Sequence, residues 1–191
     1  MNTFRVLNTV SLSDINTIQR PTEHEHLNLE SPANEVFTDF NEHVPLMLEQ
    51  QTSVTDAIDL MKRTHVKLKL VIDSKESFLG VISLADLLSV KVMQIAQQTG
   101  LGRDNLTVAH VMTGREHLHA IKISDVTTSR IGDLLATMKN FGDQHVLVVD
   151  SKRGSIRGMI SARDIARRLH IPVDINARAN SFSEVYQAIR A

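Results

Sequence analysis

The chain repeats itself. The string SVTDAIDLMK at 53–62 is matched by RIGDLLATMK at 130–139, so Asp56, Met61 and Lys62 recur 77 positions on as Asp133, Met138 and Lys139. LVIDSK at 70–75 returns at the same spacing as LVVDSK at 147–152, and GVISLADLL at 80–88 returns 78 positions on as GMISARDIA at 158–166. The one added residue falls between Lys152 and Gly158, in a polar turn where an insertion costs little. Three blocks in one order define a duplicated unit, about 36–100 and 106–172. Duplication constrains the fold strongly. Whatever one unit forms the other must form, and a unit this small buries its sheet only by pairing.

Each unit reads as strand, helix, strand, turn, strand, helix. Ser53 with Asp56 three residues on is a capping-box pattern. Val54, Ile58 and Met61 then lie on one helix face, as do Ile131, Leu135 and Met138 in the second unit. The apolar, β-branched runs Leu68–Ile72 and Val146–Val149 end in polar turns after Asp73 and Asp150 and predict strands. Gly80–Ile82 and Gly158–Ile160 predict their partners, and further strands fit 45–49 and 119–123. A helix from Ser83 would carry Leu84, Leu88, Val92 and Ile95 on one face and stop at Gly100. Residues 1–35 read as a polar extension, 100–106 as a linker, and 173–191 as a C-terminal segment. In that last segment Ser181 and Glu184 cap a short helix bearing Val185, Tyr186 and Ile189. The fold class is therefore α/β (α+β): tandem βαββα domains with added terminal segments.

Composition removes several functions. Of 191 residues, 21 are Lys or Arg against 22 Asp or Glu, which leaves no basic field for nucleic acid or an anionic membrane surface. Aromatics at 4% offer little for base stacking. With no Cys there is no disulfide, thiolate metal site or thiol nucleophile. No stretch reaches the ~20 apolar residues of a spanning helix, and the N-terminus lacks the pattern of a secretory leader, so a cytoplasmic location is expected. His24 with His26, and His117 with His119, would share a face if they lay on strands. Neither pair has an evident third ligand, so no metal is assigned. No Gly-x-Ser-x-Gly elbow supports serine hydrolysis.

Chemistry concentrates in one string found twice: Gly80-Val81-Ile82-Ser83-Leu84-Ala85-Asp86 and Gly158-Met159-Ile160-Ser161-Ala162-Arg163-Asp164. A strand delivers a hydroxyl to a helix N-terminus, where free N–H groups and the dipole favour a phosphate. The carboxylate one turn in can accept both hydroxyls of a ribose diol, and Arg163 adds a cation suited to phosphate oxygens. Ser-x-x-Asp is also an ordinary helix cap, so the string admits a purely structural reading. Lys67 and Lys69 read as exposed residues of an edge strand, where lysine blunts aggregation.

At these residues the chain resembles the CBS domain family, named after cystathionine β-synthase. String, tandem repeat and element order all agree, over about residues 36–172. The resemblance implies two domains packed sheet to sheet, with ligand clefts between them. In those clefts Asp86 and Asp164 would hold ribose hydroxyls, and Ser83 and Ser161 would contact ribose or phosphate. Val81 and Met159 would pack on adenine. Backbone groups of Lys67, Leu68 and Lys69, and of Gln144, His145 and Val146, would read the adenine edge. Leu70 and Leu147 stand where many members carry Pro. The function so implied is a regulatory module, not an enzyme. It would sense AMP, ADP, ATP or a related adenosyl compound, with no required cofactor. It would form a homodimer through its helices and pass its signal to an unidentified effector protein. The alternative is an interaction protein that kept the fold without the ligand. The apolar positions of 84–96, from Leu84 to Ala96, cover more than one helix face and support the dimer. Arg163 against Ala85 marks the second motif as the tighter site for a phosphorylated ligand.

Overall fold

A computed structural model describes residues 9–15, 17–18 and 27–170. The expected C-terminal helix around Ser181 and Glu184, and the His24–His26 pair, lie outside the described residues. In chain order the elements are β1 (Phe37–Asp39), β2 (Met47–Glu49), α1 (Val54–Arg63), β3 (Leu68–Ile72), β4 (Phe78–Ser83), α2 (Leu84–Leu88) and α3 (Lys91–Thr99). The second half follows with α4 (Val108–Val111), β5 (Thr113–Gly114), β6 (Ala120–Lys122), α5 (Ile123–Thr128), α6 (Ile131–Phe141), β7 (His145–Asp150), β8 (Ser155–Ser161) and α7 (Ala162–Leu169). None of the described helices is long and apolar enough to cross a membrane.

Local chemistry accounts for the elements. The Ser53 hydroxyl accepts the Asp56 N–H at 3.0 Å and donates to its carboxylate at 2.7 Å, so α1 begins where the capping pattern places it. Val54, Ala57, Ile58 and Met61 of α1 are buried, as are Ile131, Leu134 and Met138 of α6, with Leu135 packed alongside. In each β-hairpin an aspartate carboxylate ties the turn. Asp73 accepts the N–H groups of Lys75 and Ser77, both at 2.8 Å, and Asp150 accepts those of Lys152 and Arg153 at 2.9 and 3.2 Å.

The helix expected over 84–96 is broken. Ser89 is extended, its hydroxyl donates to the Asp86 carbonyl at 2.8 Å, and it accepts the Lys91 N–H at 3.3 Å. Serine thus ends α2 and starts α3, which is its usual competition with helix continuation. The face Leu84, Leu88, Val92, Ile95 is divided in consequence. Leu84 and Val92 are buried while Leu88 is 54% exposed. Gly100, in the left-handed region at φ 68°, ends α3 as expected.

Among the described residues two sheets result, ordered β2-β3-β4-β5 and β1-β8-β7-β6. Within each, two strands run parallel across a helical connection and a hairpin adds the third. The fourth strand comes from the other half of the chain. β1 pairs antiparallel with β8, setting Thr38 against Met159, and β5 pairs with β4, setting Thr113 against Val81. One loan is reinforced by a two-point ion pair: Arg157 Nε and Nη2 reach Asp39 Oδ1 and Oδ2 at 2.8 and 2.6 Å. That guanidinium, bonded to the Asp39 side chain, holds the carboxyl below its usual range.

One hydrophobic core lies on each sheet. The first gathers Val71 and Ile82 beneath α1, α2 and α4; the second gathers Val146, Val148 and Ile160 beneath α6 and α7. Leu70 and Leu147 alternate with these residues, and so lie on the opposite sheet faces. They belong to neither core, yet each is only 7% exposed, as sheet-to-sheet packing requires. Lys69 departs from the exposed edge residue that the sequence predicts. It sits on a central strand and is only 7% exposed, in line with core residue Val71. Its stem is buried while the ammonium reaches the Met47 carbonyl on outer strand β2 at 3.4 Å. Burial lowers its pKa. Lys67 is exposed, as expected.

Candidate functional site

Each motif occupies a strand-to-helix junction, β4 into α2 and β8 into α7. The two junctions are built alike. The Leu84 N–H donates to the Lys67 carbonyl at 2.9 Å, and the Ala162 N–H donates to the Gln144 carbonyl at 3.0 Å. This sews the start of each helix to the residue that leads into the neighbouring strand. Ser83 pairs with Leu68 across β4 and β3, and Ser161 pairs with His145 across β8 and β7. Paired residues share a sheet face. Leu68, Val81 and Ser83 therefore stand together on the face away from the first core, and His145, Met159 and Ser161 on the matching face of the second half. The structure separates Lys69 and Val146 from these groups. Both side chains lie on the core face, leaving only their backbone groups for a ligand.

The two Ser–Asp units differ in state. Ser83 accepts the Asp86 N–H at 3.0 Å and donates to its carboxylate at 2.5 Å, so the first unit is closed on itself. Ser161 accepts the Asp164 N–H at 3.4 Å. The Asp164 carboxylate instead meets Arg167 Nη2 at 3.0 Å, one turn further along α7. The cation beside Asp164 is thus Arg167, and Arg163 stands exposed on the first turn. The three-residue spacing from Asp164 to Arg167 is the sequence signal that points to this pair. The matched place in the first half holds Ser89, which is uncharged.

His145 is partly buried, and burial lowers its pKa below the ordinary histidine value, with the Asp164 carboxylate pulling the other way. On the neighbouring strand's approach, His119 Nδ1 lies 3.0 Å from the Asp143 carboxylate, and its ring stacks on Phe141 with centroids 4.4 Å apart. His117 falls in a 3-10 turn, Arg115–His117, so it does not share a strand face with His119. Among the described residues no three His, Asp or Glu side chains converge as metal ligands.

This geometry has known relatives. The family model of the CBS domain matches residues 36–92 and 123–171. No curated protein matches the chain. Among solved structures, an uncharacterized conserved protein from Pyrococcus horikoshii is 20% identical, covering 78% of this chain and 98% of that one at a TM-score of 0.55. CBSX2 in complex with AMP is likewise 20% identical, over 72% and 94%, at 0.51. The CBS domain pair of protein MJ0100, in complex with 5′-methylthioadenosine and S-adenosyl-L-methionine, is 14% identical over 72% and 94%, at 0.50. At such identities the likeness is one of fold.

Proposed function

The chain belongs to the CBS domain family, and on that premise we propose that it is a regulatory module that binds an adenosine-containing ligand at its two motifs and catalyses no reaction. The observation that carries this reading is the twice-built junction. A serine hydroxyl and a carboxylate stand at a helix N-terminus, beside an apolar residue on the same side of the sheet and a backbone carbonyl from the adjoining strand lead. Such a constellation can grip a ribose diol by its carboxylate, cover a purine with Val81 or Met159, and offer backbone groups to the purine edge. The ligands held by two similar folds, AMP in CBSX2 and two adenosyl compounds in MJ0100, support the ligand class. The working division is 36–100 and 106–172, and a cytoplasmic setting with an effector on another chain completes the reading.

Thermal melting with AMP, ATP, adenosine and S-adenosylmethionine tests it. A ligand that binds only the folded state stabilises it by RT ln(1 + [L]/Kd), about 2.7 kcal/mol at a hundredfold excess over Kd. At least one of these ligands should raise Tm by several degrees. The second reading, a ligand-free interaction protein, draws on the closed Ser83–Asp86 unit and gains if none of them moves Tm.

Assembly as a homodimer is part of the same proposal. Leu60, Leu88, Val90 and Met93, on or beside the first-half helices, are 40%, 54%, 74% and 55% exposed. The matched second-half positions of the first three hold Thr137, Ala166 and Arg168. Large apolar groups clustered on one set of helices mark a surface that association would cover. Light scattering at micromolar concentration should give twice the 21.3 kDa chain mass, and a monomer there would refute the dimer.

A further inference from the structure

The two motif ends differ in chemistry at several matched positions, although both keep the motif aspartate. Met47 pairs with Leu70 as Ala120 pairs with Leu147, so Leu46 and His119 occupy the same place in the two halves. By the same correspondence Val66 matches Asp143, Leu68 matches His145, and Ser89 matches Arg167. At these places the first junction carries apolar and neutral groups. The second carries two histidines, a carboxylate and a guanidinium, with Asp164 beside them. Duplication supplied one architecture, and the copies diverge around the motif.

At the second junction His145 is placed to respond to a ligand. It stands beside Ser161 on the sheet face that also carries Met159, and it is partly buried. Its charged neighbours can be assigned. Asp164 on α7 is the carboxylate that acts on it. That carboxylate is already paired with Arg167, and on the β6 approach His119 and Asp143 are engaged with each other. Arg163 is exposed on the first turn of α7. Asp164 is shared with a guanidinium, and burial lowers the imidazole's pKa against that carboxylate's pull. An anion arriving at the junction changes this balance, because it adds negative charge next to a group that can accept a proton.

We infer that His145 selects for an anionic, phosphorylated adenosyl ligand at the second motif by taking up a proton as that ligand binds. This rests on the adenosyl-binding reading above and adds to it a charge preference and a proton. The direction follows from linkage. If the bound anion raises the imidazole's affinity for protons, ligand affinity rises as pH falls through the bound-state pKa and levels off below the free-state pKa. Leu68, at the matched place, can do nothing of the kind, so the first junction is indifferent to pH in this range.

The test is calorimetric titration of AMP and of adenosine into the full chain, wild type and His145→Leu, between about pH 5.5 and 7.5, the range in which an imidazole changes charge. AMP's own phosphate titrates in this window, but equally for both proteins. The readout is therefore the ratio of wild-type to variant affinity. For AMP the ratio should grow about tenfold as pH falls across the window, the equivalent of one pKa unit, while for adenosine it stays flat. His145→Gln, which keeps polarity without titrating, should behave as His145→Leu does and guards against a packing artefact. Histidine NMR on the wild type supplies an independent view, with one imidazole titrating higher when AMP is present. A flat AMP ratio, with AMP still binding, overturns the inference and leaves the adenosyl reading intact. Failure of both ligands to bind at any pH overturns the inference, and the adenosyl reading falls with it if ATP and S-adenosylmethionine also leave Tm unmoved.

Discussion

Gly158→Ala should cost the protein about 3 kcal/mol of stability, a loss at the upper end of what overpacking does. The residue has no unusual dihedral to protect. Its constraint is what lies over it. A Cβ there would fall inside contact distance of the Thr38 carbonyl oxygen and of the Phe37 ring, both on the borrowed strand β1. Neither can yield freely. The Thr38 carbonyl is part of the β1 backbone, and β1 is anchored beside it by Asp39 and Arg157. Gly80 meets the same obstacle from the Thr113 carbonyl on β5, so the glycine that opens each motif is there to admit the other half's strand. Gly102 serves as the control. An added methyl there would meet nothing nearer than 4.0 Å, and the alanine variant should stay within about 0.5 kcal/mol of wild type. For a chain of this size a loss of about 3 kcal/mol corresponds to a Tm drop of roughly 6–12 °C. A Gly158→Ala protein melting within a degree of wild type would show that β1 does not lie where the pairing with β8 puts it.

Asp164→Ala should weaken AMP binding by about 1.5–3 kcal/mol, roughly ten- to a hundredfold in Kd, the range for a hydrogen bond to a charged group. The stability cost should be much smaller. Alanine keeps the backbone N–H that Ser161 accepts, and the pair lost with Arg167 is largely exposed, a class of interaction worth about 0–1 kcal/mol. The two roles available to this residue therefore separate cleanly by measurement. Calorimetry showing unchanged affinity beside a lowered Tm would make Asp164 a helix-start residue and nothing more. Asp86→Ala should lose less affinity, because Asp86 already engages the Ser83 hydroxyl through one oxygen at 2.5 Å.

Much of this fold is legible from the residues, for identifiable reasons. Helix starts, hairpin turns and paired strands are local devices. Ser53 with Asp56, and Asp73 with Ser77, need only their neighbours to act, so their spacing announces them. The duplication adds long-range information that one unit lacks, because a pattern that returns at one spacing over three blocks is no accident. What the residues do not disclose depends on the third dimension. Lys69 looks like an edge residue until β2 is seen to flank it. Ser89 reads as one polar residue in an apolar helix, although its hydroxyl serves two helices at once. At the site, Arg163 stands out by contrast with Ala85, whereas the guanidinium that meets the carboxylate is Arg167, which lies beyond the motif. The resemblance gives only the backbone of His145 a role. The place of its side chain comes from pairing with Ser161, a contact between residues far apart in sequence.

The borrowed strands also shape how such a chain must be made. Synthesis delivers β1 before β8, the strand it pairs with, and most of the described residues lie between the two. The first sheet likewise waits for β5 before its outer edge beside β4 is covered. Closing a long loop costs entropy before the contacts that reward it exist, and among the described strands the pairing of β1 with β8 closes the longest loop. Until β8 is made, β1 lacks the strand it pairs with, and an unpaired strand is the kind of surface that recruits foreign strands. Each half's sheet is completed only by a strand from the other half.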